Sequence, residues 1–257
     1  MVERADGTGS AGALRKAVSV RIFMRAKGNG LKQGNATWAF TLIELLTVIA
    51  IISVLAAMLT GLSGIAASKM RTHRMNGELA QLVTAIEGYK AELGFYPPDN
   101  QNQSITATRR AQFNPLFFEL TGATYENGNF IALNQRDPVT PAALTKAFGV
   151  DGVGNSARKK GDVKYQTVRF KPSQYAQVTS PSAPPLAPVD NILLLTVPVN
   201  GPQEFMVQSV TSAGVKSGTV NAWLYDSSST NRHNMATFDI WAVYNIGNRI
   251  ITNGNWR

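Results

Sequence analysis

The chain reads as an α+β protein in which one long N-terminal helix packs on a small antiparallel β-sheet, and three observations lead there. An uncharged run from Leu45 to Ala67 passes directly into a stretch with apolar residues at three- and four-residue steps. Gly94 and then Pro97-Pro98 stop it. The last third is a series of short branched and aromatic runs divided by Gly, Asn and Ser, the pattern of antiparallel strands joined by turns. A long amphipathic helix followed by such a meander implies a helix laid on one sheet face.

The first element to justify is the apolar run. Its 23 positions carry no charge, and at about 1.5 Å per residue they make a helix of roughly 34 Å, enough to cross a bilayer core. An ordinary secretory signal peptide has a shorter apolar region of about 7–15 residues, so residues 40–67 are expected to remain as a transmembrane segment. Residues 1–39 are rich in Gly, Ser and Ala, show no apolar periodicity and hold seven Lys/Arg against two acids. The chain has 257 residues and a net charge of +9. More than half of that excess belongs to the flank of the apolar run, where the positive-inside rule places the N-terminus in the cytoplasm and the rest outside. Met24 is an in-frame alternative start that still leaves Arg25, Lys27 and Lys32 before Phe40.

The helix continues over residues 68–98 as an amphipathic segment, with Met75, Leu79, Leu82, Val83, Ile86, Tyr89 and Leu93 on one face. Residues 99–190 are a variable, loop-rich region. Within it Asp99–Arg109 is polar, and Phe113, Leu116, Phe117 and Leu120 predict a helix beginning near Asn114 and ending at Gly122. A strand is expected over Lys164–Phe170 and a weak helix near Pro141–Phe148; Ser180–Pro188 is a Pro/Ser/Ala stretch. Residues 191–257 form the sheet region, with strands expected at Ile192–Val199, Phe205–Val210, Thr219–Tyr225, Phe238–Tyr244 and Arg249–Thr252.

No catalytic set emerges, so the chain is not expected to be an enzyme. It has no Cys and two His, His73 and His233, each read as a solvated polar residue; thiol and zinc chemistry lack their parts. Asp151-Gly-Val-Gly-Asn155 with Asp162 has an outline of a calcium loop, but Val153 stands at a ligand position and no Glu closes it. Arg158-Lys159-Lys160 is read as solvated loop, because single-strand binding needs interleaved exposed aromatics; nucleic acid is not an expected partner. The sharpest single residue is Glu44. A carboxylate at the edge of an apolar run costs a few kcal/mol unless it is paired or reaches water, and the plainer reading is that it snorkels to the interface.

The stretch Ala39-Phe40-Thr41-Leu42-Ile43-Glu44-Leu45-Leu46, behind a basic leader and before an uncharged run, resembles the processing and methylation motif of type IV pilins and type II secretion pseudopilins. Tyr89-Lys90 through Gly94-Phe95-Tyr96-Pro97, Phe238-Asp239-Ile240-Trp241 and Asn253-Gly254-Asn255-Trp256 are similar to corresponding stretches of the major pseudopilin. The resemblance implies a pilin-like fold. A prepilin peptidase would cut between Ala39 and Phe40, the new Phe40 amine would be N-methylated, and Glu44 would serve assembly by pairing with the Phe40 amine of a neighbouring subunit. The residue before the cut is Ala39 where the family usually has Gly.

By the same resemblance the chain is a structural subunit of a periplasmic filament in a type II secretion system. It would be single-pass in the bacterial inner membrane with its C-terminal domain in the periplasm, and its partners would be other pseudopilins, the inner-membrane secretion platform and secreted protein substrates. No cofactor is expected. Calcium is what the family would imply, but its acidic loop is missing, since Tyr244–Gly254 contains no carboxylate. Two alternatives stay open: a type IV pilin for adhesion, motility or DNA uptake, and a membrane-anchored periplasmic enzyme or binding module.

Overall fold

The structure, a computed structural model, describes residues 40–133, 135–166, 168–179, 191–211 and 216–256, with only the backbone of 59–66 and of 216. The leader 1–39, including Ala39 of the expected cleavage pair, and the Ser180–Pro188 stretch lie outside the described residues. Two units are distinguished, residues 1–52 and 53–257.

Helix α1 runs Leu42–Leu93, and its end follows from its sequence. The Gly94 amide donates to the Lys90 carbonyl at 2.8 Å while Gly94 itself adopts φ +87°, a left-handed conformation that costs glycine nothing. Of the expected face, Met75, Leu79, Leu82, Ile86 and Tyr89 are buried and Val83 and Leu93 half-buried. Each fully buried side chain of this size contributes roughly 1.5–3 kcal/mol, so the 3.6-residue stripe fixes which side of the helix faces the core. Among the described residues no helix is long and apolar enough to cross a membrane; the run Leu45–Ala67 is described there without the side chains of 59–66.

The region 99–190 holds more regular structure than the sequence suggests. Helix α2 spans Ala107–Gln112, capped by the Thr106 hydroxyl, where a polar loop was expected. Helix α3, Leu116–Thr121, begins two residues beyond the predicted Asn114 and ends at Gly122. Strands β1 (Ala123–Glu126) and β2 (Asn129–Ala132) form a hairpin through Asn127-Gly128, both at positive φ as a two-residue turn of this hand requires. Helix α4, Pro141–Phe148, matches its expected bounds and is capped by Thr140. Strand β3 (Ser156–Ala157) adds parallel to β1.

Lys164–Phe170 is not a strand. Tyr165, Val168 and Phe170 are buried, but the burial changes phase between Tyr165 and Val168, so the segment has no strand-like alternation, and among the described residues no strand pairs with it. The Asn155 side chain takes that place, accepting from the Tyr165 amide at 3.2 Å and donating to the Tyr165 carbonyl at 2.7 Å.

The expectation of one small sheet is also corrected. Strands β4 (Tyr175–Val178), β5 (Ile192–Val197), β6 (Met206–Val210) and β7 (Lys216–Ala222) close into a barrel in the order β4-β5-β7-β6. Strands β8 (Leu224–Asp226), β9 (Asp239–Ile246) and β10 (Arg249–Gly254) form a separate antiparallel sheet. The single run Thr219–Tyr225 therefore serves two sheets and breaks at Trp223. Ala222, Trp223, Leu224 and Tyr225 are all buried, so the run has no solvent face there. The Trp223 amide bonds the Leu195 carbonyl, and the Trp223 carbonyl accepts from Asn114 of the α2–α3 connection. It is α3 and α4 that lie against β5, and α2 against β8, while α1 enters the shared core through its side chains.

Candidate functional site

Thr41 and Glu44 sit three residues apart across the first turn of α1, and each satisfies the other. The Thr41 amide donates to Glu44 Oε2 at 2.9 Å, and the Thr41 hydroxyl donates to the same oxygen at 2.7 Å. The Glu44 amide in turn lies 3.3 Å from Thr41 Oγ1. This is a capping box, Thr at the N-cap and Glu three residues on, which satisfies amide groups that the first helical turn leaves without partners. Its carboxylate also lies where the helix dipole favours negative charge. Sequence reasoning identified Glu44 but missed this local partner, although the Thr-x-x-Glu spacing carries the signal.

The same end of the helix is apolar and uncovered. Phe40 is 75% exposed, and the large apolar side chains from Leu42 to Met58 are each 43–81% exposed. Helical residues three or four apart share a face, whereas these positions follow one another almost without a break, so the apolar surface runs round the helix rather than along a stripe. Phe40 and Glu44 thus lie four residues apart at the exposed start of α1, and Ala39 lies outside the described residues.

Other polar groups serve the fold. Glu119 is fully buried on α3. It accepts from the Gly154 amide at 2.8 Å, the Asn155 amide at 3.0 Å and the Tyr89 hydroxyl at 2.8 Å. Burial pushes its carboxyl up, and these three hydrogen bonds pull the other way without cancelling the rise. Burial, with the Glu119 charge beside it, also pushes the Tyr89 phenol up. The residues that outlined a calcium loop are therefore committed elsewhere: two backbone amides of 151–155 point at a carboxylate, and Val153 is in the core.

Asp99 and Asp226 face a cavity of about 280 Å³. Asp99 accepts from the amides of Ser227 and Ser228 and from the Ser228 hydroxyl. The Ser228 amide is shared with Asp226, which also accepts from Ser229. Burial, and then the nearby Asp99, raises the Asp226 carboxyl. His233 stacks on Trp256 with centroids 4.0 Å apart, and its Nδ1 lies 3.1 Å from buried Asp239. His73 is exposed on α1. Arg158, Lys159 and Lys160 are exposed, at the start of a short 3₁₀ turn over Lys160–Asp162. Among the described residues no group of three His, Cys, Asp or Glu is placed to hold a metal ion. Tyr244–Gly254 forms most of the β9–β10 hairpin, with Gly247 at φ +58° in its turn.

Compared with family models, with curated proteins and with solved structures, the chain has no match.

Proposed function

We propose that this chain is a pseudopilin of the type II secretion kind. It is held in the bacterial inner membrane by residues 40–67, cut before Phe40 by a prepilin peptidase, N-methylated there, and polymerised into a short periplasmic filament. The observation that carries the reading is the joint placement of Phe40 and Glu44: a lone carboxylate at the start of a helix whose apolar side chains are exposed on every side. Such a helix is unfavourable in water and suits lipid or a bundle of like helices. The sequence supports the membrane segment through the absence of charge from Leu45 to Ala67.

The capping box gives this reading a concrete exchange. Glu44 already reaches the backbone nitrogen of residue 41, and cleavage would place an ammonium one residue earlier. In an isolated subunit Glu44 stays on Thr41; in the filament it transfers to the Phe40 ammonium of a neighbour, gaining a charge-assisted contact in a medium of low dielectric. Glu44→Ala should therefore leave membrane insertion intact and abolish filaments and secretion. Wild-type secretion by that variant would sink the pairing. An adhesion or motility pilin is the second reading; long surface filaments seen by electron microscopy would favour it over secretion.

A further inference from the structure

We propose that Lys69, Arg71 and Arg74 form a cationic collar on α1 that binds the phosphates of anionic phospholipid headgroups. The inference rests on the membrane anchor proposed above and concerns residues that neither processing nor assembly uses. From Leu45 to Gly77 there is no carboxylate, and these three cations fall within six positions just after the apolar run. All three are exposed, as is Met70 between them at 72%. Arg74 Nε reaches Glu78 at 3.1 Å, whereas neither Lys69 nor Arg71 has a carboxylate partner among the described residues.

Geometry chooses the partner. At about 100° per residue the three side chains leave the helix in directions spread over about 200°, so they surround it rather than line one face. An acidic surface on a second protein would meet a single stripe; a headgroup layer meets a helix from all sides. Along the axis the collar spans about 7.5 Å at 1.5 Å per residue, close to the roughly 5–7 Å of one interfacial layer. Long cationic side chains keep their stems along apolar surface and their charges at the phosphates, and the arginine fork matches phosphate oxygens. Met70 is then an apolar contact at the acyl boundary.

The test uses the full chain, which has no cysteine, so that Met70→Cys gives a single labelling site inside the collar. The labelled protein is reconstituted into vesicles of phosphatidylcholine alone or of equimolar phosphatidylcholine and phosphatidylglycerol, and quenching by a water-soluble reagent is measured. Near an anionic surface each Lys or Arg strengthens binding roughly fivefold. Quenching should therefore fall about fivefold or more in the anionic vesicles, return in about 1 M salt, where the Debye length is about 3 Å, and stay unchanged between vesicles in the K69Q/R71Q/R74Q background. Equal quenching in both vesicles, with the chain still resistant to carbonate extraction, overturns the collar and leaves the anchor standing. Carbonate release from both vesicles overturns the anchor and the collar together. Protection that follows protein density rather than phosphatidylglycerol assigns the cluster to a neighbouring subunit and also overturns the lipid assignment.

Discussion

Two carboxylates of this chain show how placement decides what a residue does. Glu44 is exposed and bonded only within its own helical turn, so another donor can replace Thr41 at little cost. Glu119 is buried and holds two adjacent amides and a phenol from two separate segments. Glu119→Ala leaves all three donors without an acceptor, at about 1–3 kcal/mol each, and should lower stability by roughly 3 kcal/mol or more, read from the urea midpoint of the detergent-solubilised chain. Burial raises the Glu119 carboxyl in the folded state, so the folded chain holds that proton more tightly than the unfolded one. Its stabilising contribution is complete below the unfolded value of about 4.3 and is lost as pH rises through the folded value. A urea midpoint followed from about pH 4 upward should fall with pH, and Glu119→Gln should flatten the fall; Asp226, raised in the same direction, leaves a residual slope. An equally steep fall in Glu119→Gln would remove Glu119 as its source.

At the scale of elements, the sequence was readable where one segment dictates its own structure. Helix α1 declares itself by a stripe and a Gly stop, and the weak helix expected near Pro141–Phe148 is α4; the β1–β2 hairpin was not foreseen, although its Asn127-Gly128 turn carries the signal. It was unreadable where a distant side chain decides. Lys164–Phe170 has the branched and aromatic composition of a strand, but the Asn155 side chain takes both backbone groups of Tyr165, and no spacing near residue 165 announces a partner ten residues away. The break at Trp223 is of the same kind, since it depends on Leu195 and on Asn114.

The contact between α1 and residue 165 gives a direct prediction. The Tyr165 hydroxyl donates to the Ala85 carbonyl at 2.8 Å, and a Cβ at Gly88 would stand 2.9 Å from that oxygen. Gly88→Ala gains about 1 kcal/mol of helix propensity. Displacing a buried hydroxyl from its partner costs about 1–3 kcal/mol. The variant should therefore be less stable than the parent despite the better helix former, and a raised midpoint would show that Tyr165 moves aside freely.

For the whole molecule, the division of labour runs along the sequence. The core begins at Met75 and draws on residues up to Tyr244, whereas the exposed apolar surface lies between Phe40 and Met58. A chain starting at Ala67 should stay monomeric in water by sedimentation and retain a cooperative thermal transition, while the full chain should require detergent. Aggregation of the shortened chain would place part of the core within residues 40–66. The candidate site was legible because it is local, a motif of eight residues. The Asp99–Asp226 cluster and the Glu119 node escaped notice because they join distant segments, Asp99 to Ser228 and Glu119 to Tyr89 and Gly154, that meet only in the fold.

Ala39–Glu44 is proposed as a processing and assembly signal rather than the edge of a plain anchor. Mass spectrometry of the N-terminal peptide of the mature, membrane-extracted protein decides between the two: a processed subunit begins at N-methylated Phe40, and an intact leader continuous through Ala39 into Phe40 would overturn the proposal.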